Sequence, residues 1–96
     1  MEALKSSWER QAQESAKAYA AFCAYRDTPP SKRSHRGLAH MLGKSSALIS
    51  RWSGRHQWLA RVAAWDDELD RQRRLKQIEA IQEMGERQAT IALMYQ

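Results

Sequence analysis

Residues 35–54, HRGLAHMLGKSSALISRWSG, decide the fold. Leu38, Leu42, Ile49 and Trp52 are the apolar points of this stretch, and their spacing predicts two short helices that share a core. Ala39 is the small residue that lets two helix backbones cross closely, and Gly43 supplies the left-handed backbone of the turn between them. Ser45 follows as the natural N-cap of the second helix.

Outward from this stretch the chain reads as all-α. Gly and Pro are scarce, with four and two copies, and no run of alternating β-branched residues suggests a strand. Upstream, the alanine-rich segment 14–26 (ESAKAYAAFCAYR) predicts a first helix with Tyr19, Phe22, Cys23 and Arg26 on one face. Asp27-Thr28-Pro29-Pro30 ends it, because proline restricts the residue before it and donates no amide bond. Ser31 or Ser34 can cap the next helix. Downstream, Trp58, Val62, Trp65 and Leu69 form an apolar stripe on a helix starting near Gln57, which is expected to close the core. The carboxylates Asp66, Asp67, Glu68 and Asp70 then precede Arg71, Arg73, Arg74 and Lys76, an alternation expected of a solvated helix surface. Beyond them Ile78, Ile81, Met84, Gln88, Ile91 and Tyr95 make a second, weaker stripe. That region is either one long helix or two joined near Arg71–Arg74, with Gly85 a second weak spot. Its stripe has nothing left in the chain to cover it and implies a partner, most economically another copy.

Ninety-six residues with 43% hydrophobic content suffice for one small core. A single cysteine, Cys23, cannot make an internal disulfide and reads as a small core hydrophobe in a reducing compartment. No export signal and no run of eighteen apolar residues is present, so a soluble protein with no membrane partner is expected. His35, His40 and His56 lack metal-ligand spacing, and there is no Gly-rich phosphate loop. Neither an enzyme nor any cofactor or metal is expected.

Charge is segmental. From Thr28 to Trp65 there is no Asp or Glu, while the same stretch holds seven of the sixteen Lys and Arg residues and all three histidines. A field of that sign attracts polyanions. Because it coincides with residues 35–54, which resemble the helix-turn-helix of prokaryotic and phage DNA-binding proteins, the expected partner is double-stranded DNA. Lys44 departs from the aliphatic residue usual at its position in such motifs. On the second motif helix Leu48, Ile49 and Trp52 are expected to face inward, leaving Ser46, Ala47, Ser50 and Arg51 outward. Arg51 is the leading candidate for a bidentate contact to guanine, with Ser46 and Ser50 bonding bases or phosphates. Lys44, Arg55 and His56 flank that helix, and Lys32, Arg33 and Arg36 precede the motif, as phosphate contacts. Ser45, at the helix start, completes the candidate DNA-binding set.

The ordered set ESAKAYAAFCAYRD, a Pro-containing loop, LGKSSALISRWS, H-x-W and AAWDDELD resembles the N-terminal DNA-binding region of phage small terminase subunits over residues 8–90. The resemblance implies a homo-oligomeric ring in the cytoplasm of the bacterial host that recognises viral DNA and regulates the large terminase subunit to start genome packaging. Catalysis would then belong to the large subunit. The binding positions it carries over are chiefly Lys44, Ser46, Ser50 and Arg51. Small terminases usually continue into an oligomerisation core and a docking tail, whereas this chain stops inside a helical pattern at Gln96, so the tail is expected to be missing. An alternative from the same motif is a transcriptional regulator or excisionase-like factor, acting as a dimer on a palindrome. The expected architecture is a compact helix-turn-helix domain of three to four helices with a long C-terminal helical extension. Residues 1–13 would be an N-terminal arm, 14–69 the DNA-binding domain, and 70–96 the extension that begins an oligomerisation region.

Overall fold

The computed structural model describes residues 6–94, with side chains to Ala89. All regular structure among them is helical: α1 (Ala16–Asp27), a 3₁₀ turn at Pro30–Lys32, α2 (His35–Leu42), α3 (Ser46–Arg55) and α4 (Trp58–Met94). The chain divides into two units between Trp65 and Asp66, where the composition turns acidic.

Local chemistry sets the boundaries of the first unit. Serine hydroxyls cap three helices in the same way: Ser15 accepts from the Ala18 N–H, Ser34 from Gly37 and Ser45 from Leu48. Each satisfies one of the amides that a helix start leaves without a partner. At the end of α1, Thr28 is extended ahead of Pro29, and its amide bonds the Tyr25 carbonyl. Gly43 ends α2 with φ 66°, the left-handed conformation that a side chain would strain. The chain meets the same requirement at Gln57, with φ 53°, just before α4.

The core of this unit joins all four helices. Phe22, Ile49 and Trp58 are fully buried, and Ala21, Tyr25, Leu38, Ala39 and Val62 complete the cluster. Burying each large member contributes about 1.5–3 kcal/mol. Trp58 is the hub, with Phe22 edge-on at 5.9 Å and Tyr25 tilted at 5.3 Å between ring centroids. Its indole N–H is buried without a hydrogen-bond partner.

The buried line of α1 is Ala18, Ala21, Phe22 and Tyr25, which corrects the expected face of Tyr19, Phe22, Cys23 and Arg26. Alanines, which permit the closest helix approach, turn inward, while Tyr19 and Cys23 lie at the margin. Arg26 lies over the Trp65 ring at 4.5 Å and pairs with Asp27.

Residues 6–14 are tied into the unit by Trp8, whose ring packs edge-on against Trp65 at 5.7 Å between centroids, and by the bonds of one buried arginine. Arg61, buried on α4, donates to the backbone carbonyls of Ser7 (2.6 Å) and Glu9 (3.0 Å) and makes two bonds to the Glu14 carboxylate (2.8 and 3.0 Å). Its guanidinium also stacks 3.8 Å from the Phe22 ring centroid. Burial alone would push the Glu14 carboxyl up. The Arg61 hydrogen bonds, the Gln11 amide and the Arg61 charge outweigh it and hold the carboxyl below its usual 4.5.

The second unit consists of the remainder of α4. It is assigned helical throughout, so of the two expected arrangements the single long helix is found. Its exposed charges pair at helical spacing, Glu68 with Arg71, Asp70 with Arg73 and Glu83 with Arg87. Leu75, Ile78, Ile81 and Met84 are exposed. Tyr95 of the second stripe, and the Ile91 side chain, lie outside the described residues.

Candidate nucleic-acid interface

Helix α3 is held from beneath by Ile49, wholly buried, and Ser53, nearly so. Trp52 is half-buried against the core and Leu48 is half-exposed, so the inward face is centred on Ile49 and Ser53 rather than spread evenly over Leu48, Ile49 and Trp52. Ser46, Ala47, Ser50, Arg51, Gly54 and Arg55 are exposed. Arg51 and Arg55 are one helical turn apart and project from one side of α3.

His35 positions α2 against α3. Its Nδ1 lies 3.2 Å from the Ser50 Oγ and its Nε2 3.1 Å from the Ser53 Oγ. Either tautomer of a neutral imidazole is satisfied, because hydroxyls both donate and accept. The ring also lies against Tyr25 and Trp58, with centroids 5.9 and 6.4 Å away. Nothing local in the sequence marks this role, since the two serines are fifteen and eighteen residues away.

Two of the candidate serines therefore have structural work. The Ser45 hydroxyl caps α3 and the Ser50 hydroxyl is bonded to His35, while Ser46 sits exposed in the first turn. Lys44, the departure from the usual turn residue, places its ammonium 5.8 Å from the Trp52 ring centroid. A cation over an aromatic face contributes about 0.5–1 kcal/mol at an exposed site, so the turn keeps a packing contact and gains a charge.

The other cations divide by surroundings. Lys32 and Arg36 are exposed ahead of and within the first turn of α2. Arg33 is half-buried and donates to the carbonyls of Tyr25 (3.1 Å) and Arg26 (2.7 Å), a cationic cap on the C-terminal end of α1. Arg55 is exposed and His56, the C-cap of α3, is half-buried; both border an open cleft of about 410 Å³ with Ser7, Gln11, Gln57 and Arg61. Arg61 counts toward the basic stretch in the sequence, yet its charge is neutralised inside the fold by Glu14. The exposed cations of the stretch are thus Lys32, Arg36, Lys44, Arg51 and Arg55.

Sequence reasoning missed Glu14 and Arg61. The available signal was that Arg61 falls between Trp58 and Val62 on the apolar stripe, a place where a cation needs an internal partner. No group of three His, Cys, Asp or Glu side chains among the described residues could hold a metal ion. In the acidic run, Glu68 bonds Arg71 and Gln72, and Asp70 bonds Arg73. Among the described residues no helix is long and apolar enough to cross a membrane. No protein-family model, curated protein or solved structure matches the chain.

Proposed function

We propose that this protein is a duplex DNA-binding module that presents α3 to the major groove. The observation that carries the reading is the outward side of α3, where Arg51 and Arg55 stand one turn apart in a stretch without a single carboxylate. Neither α2 nor α3 has an acidic residue in its first turn, which leaves both helix starts receptive to phosphate. In this reading Arg51 contacts a base edge, Ser46 a base or phosphate, and Lys32, Arg36, Lys44 and Arg55 the backbone. Arg33 and His56, both half-buried, contribute field and position, while Ser45 and Ser50 fix the helix that carries the contacts.

On the family resemblance, we further propose that the module serves viral genome packaging as a small terminase subunit in the bacterial cytoplasm. Several copies would grip DNA together and regulate a large subunit that supplies ATPase and nuclease. Repetition suits a reader with one arginine and one small hydroxyl at its bases, because linked copies raise effective concentration without new contacts.

The test is fluorescence anisotropy on a long duplex. Arg51→Ala should weaken binding by roughly five- to 150-fold, the range for loss of one bidentate base contact. Unchanged affinity at low salt would remove α3 from the interface. With five exposed cations on phosphates, log affinity should fall against log salt with a slope of about −4 to −5. A discrete dimer bound to a palindrome with half-sites one helical turn apart would replace packaging with transcriptional regulation.

A further inference from the structure

Helix α3 has two unlike flanks. At about 100° per residue, Arg51 lies opposite the midpoint between the buried Ile49 and Ser53, so it stands at the centre of the outward surface. At about 40°, 60° and 100° to one side of it come Ala47, Gly54 and Ser50, all small and exposed. At the same angles to the other side come Arg55, Leu48 and Trp52. On that second flank the side chains of Leu48, Arg51, Trp52 and Arg55 surround a shallow hollow of about 80 Å³. At roughly 30 Å³ for each water of the liquid, it has the volume of two to three waters. It takes a methyl group and the ring edge that bears it, not a whole base stacked flat.

The hollow is separate from the core. Of the three leucines in residues 35–54, Leu38 belongs to the core and Leu42 packs against it, whereas Leu48 stands outside that cluster, half-exposed. With the adjoining part of Trp52 it makes one apolar wall rather than a scattered surface residue. The rim offers donors alone. Neither Arg51 nor Arg55 is engaged by an ion pair or side-chain hydrogen bond among the described residues, and a guanidinium cannot accept. The fitting occupant therefore brings an apolar group next to an acceptor. In the major groove that is thymine, whose C5-methyl lies beside the O4 acceptor. Cytosine lacks the methyl, and 5-methylcytosine would turn its N4 amino donors toward two guanidinium groups. A phosphate oxygen would lose water against Leu48 and Trp52. Building on the DNA-binding reading, we infer that Leu48 is a specificity-determining residue, seating with Trp52 the methyl of a thymine adjacent to the guanine that Arg51 contacts. Base recognition then runs along the flank of α3 that carries Leu48, not the flank of Ala47 and Gly54.

The test selects duplexes from a random-sequence pool with the full chain and then edits the selected site. Wild type should enrich duplexes with a thymine next to a guanine. Replacing that thymine by uracil removes only the methyl and should weaken binding about fourfold, the worth of one buried methyl. Leu48→Ala should bind the thymine and uracil forms equally and still prefer the neighbouring guanine. A 5-methylcytosine–guanine pair in place of thymine–adenine should bind more weakly. The uracil comparison is made on wild type, so it stands even where Leu48→Ala folds poorly. Indifference of wild type to uracil, or a thymine-over-uracil preference that survives Leu48→Ala, would overturn the inference. Binding of 5-methylcytosine as tight as that of thymine would overturn the choice of thymine. Duplex binding without any enriched sequence removes the inference and leaves the DNA-binding reading intact. Absence of binding to every duplex at low salt removes that reading and the inference with it.

Discussion

Two ion pairs made by arginines of α4 have nearly the same geometry and opposite surroundings. Arg61 meets Glu14 with two bonds of 2.8 and 3.0 Å, and Arg71 meets Glu68 with two bonds of 2.9 and 3.0 Å. The first pair has side chains 5% and 0% exposed, the second 56% and 27%. The first closes a loop of forty-seven residues and lies in the packed core, whereas the second joins neighbours on a helix surface. The lesson is that an ion pair's worth lies in what stands around it. In the first unit a charge is a structural component whose loss strands its partner away from water. In the second, water replaces whatever a substitution removes.

The largest expected effect comes from breaking the buried pair. Glu14→Ala or Arg61→Ala should each cost about 3–5 kcal/mol in denaturant unfolding, because the remaining ion is left uncompensated. Replacing both by apolar residues of similar volume, Glu14→Leu with Arg61→Met, should cost clearly less than the two single changes combined. Equality with their sum would mean that the pair does not act as a unit. A similar contrast holds between isoleucines. Ile49→Ala should cost about 2–5 kcal/mol, while Ile81→Ala, measured on dilute chain, should fall within about 0.5 kcal/mol of wild type.

Acid sharpens the comparison further. The Glu14 carboxyl is depressed in the fold, so its stabilisation is complete above the unfolded value near 4.5 and is lost as pH falls below it. The Glu68 carboxyl is held at about 2, chiefly by the Arg71 hydrogen bond, and its contribution has the same sign. Solvent screens that exposed pair, so the buried pair should dominate. Glu14→Gln should lower stability at neutral pH and flatten its decline as pH falls below about 4.5. Glu68→Gln, the smallest effect, should leave both the unfolding midpoint at neutral pH and the acid limb unchanged. An acid limb abolished by Glu68→Gln instead would reverse the ranking of the two regions.

What the sequence disclosed follows the same division between local and distant causes. The turn at Gly43, the cap at Ser45 and the stripe from Trp58 through Val62 were legible because each rests on spacings of a few residues, the reach of backbone sterics and helical periodicity. The face of α1 was misjudged because its large side chains outweigh Ala18 and Ala21 in hydrophobic pattern, although the alanines pack more closely. Arg33 and Arg61 look like any other cations of the basic stretch, and only the fold places one on the carbonyls of α1 and the other against Glu14. The role of His35 was hidden for the same reason, its partners lying on another helix. In the candidate site, exposure of Arg51, Arg55 and Ser46 follows from helix phase and could be read in advance. The employment of Ser45 and Ser50 inside the motif could be read only in part, since capping is local and the bond to His35 is not.

The bonds from Arg61 to the carbonyls of Ser7 and Glu9 bear on how this module can be cut and grafted. A fragment trimmed to the start of α1 would keep every helix of the motif, yet it would leave a guanidinium facing the vacated acceptors inside the protein. A portable version, fused to another domain or shortened for crystallisation, should therefore begin ahead of Ser7, and a linker attached there would leave the clasp intact.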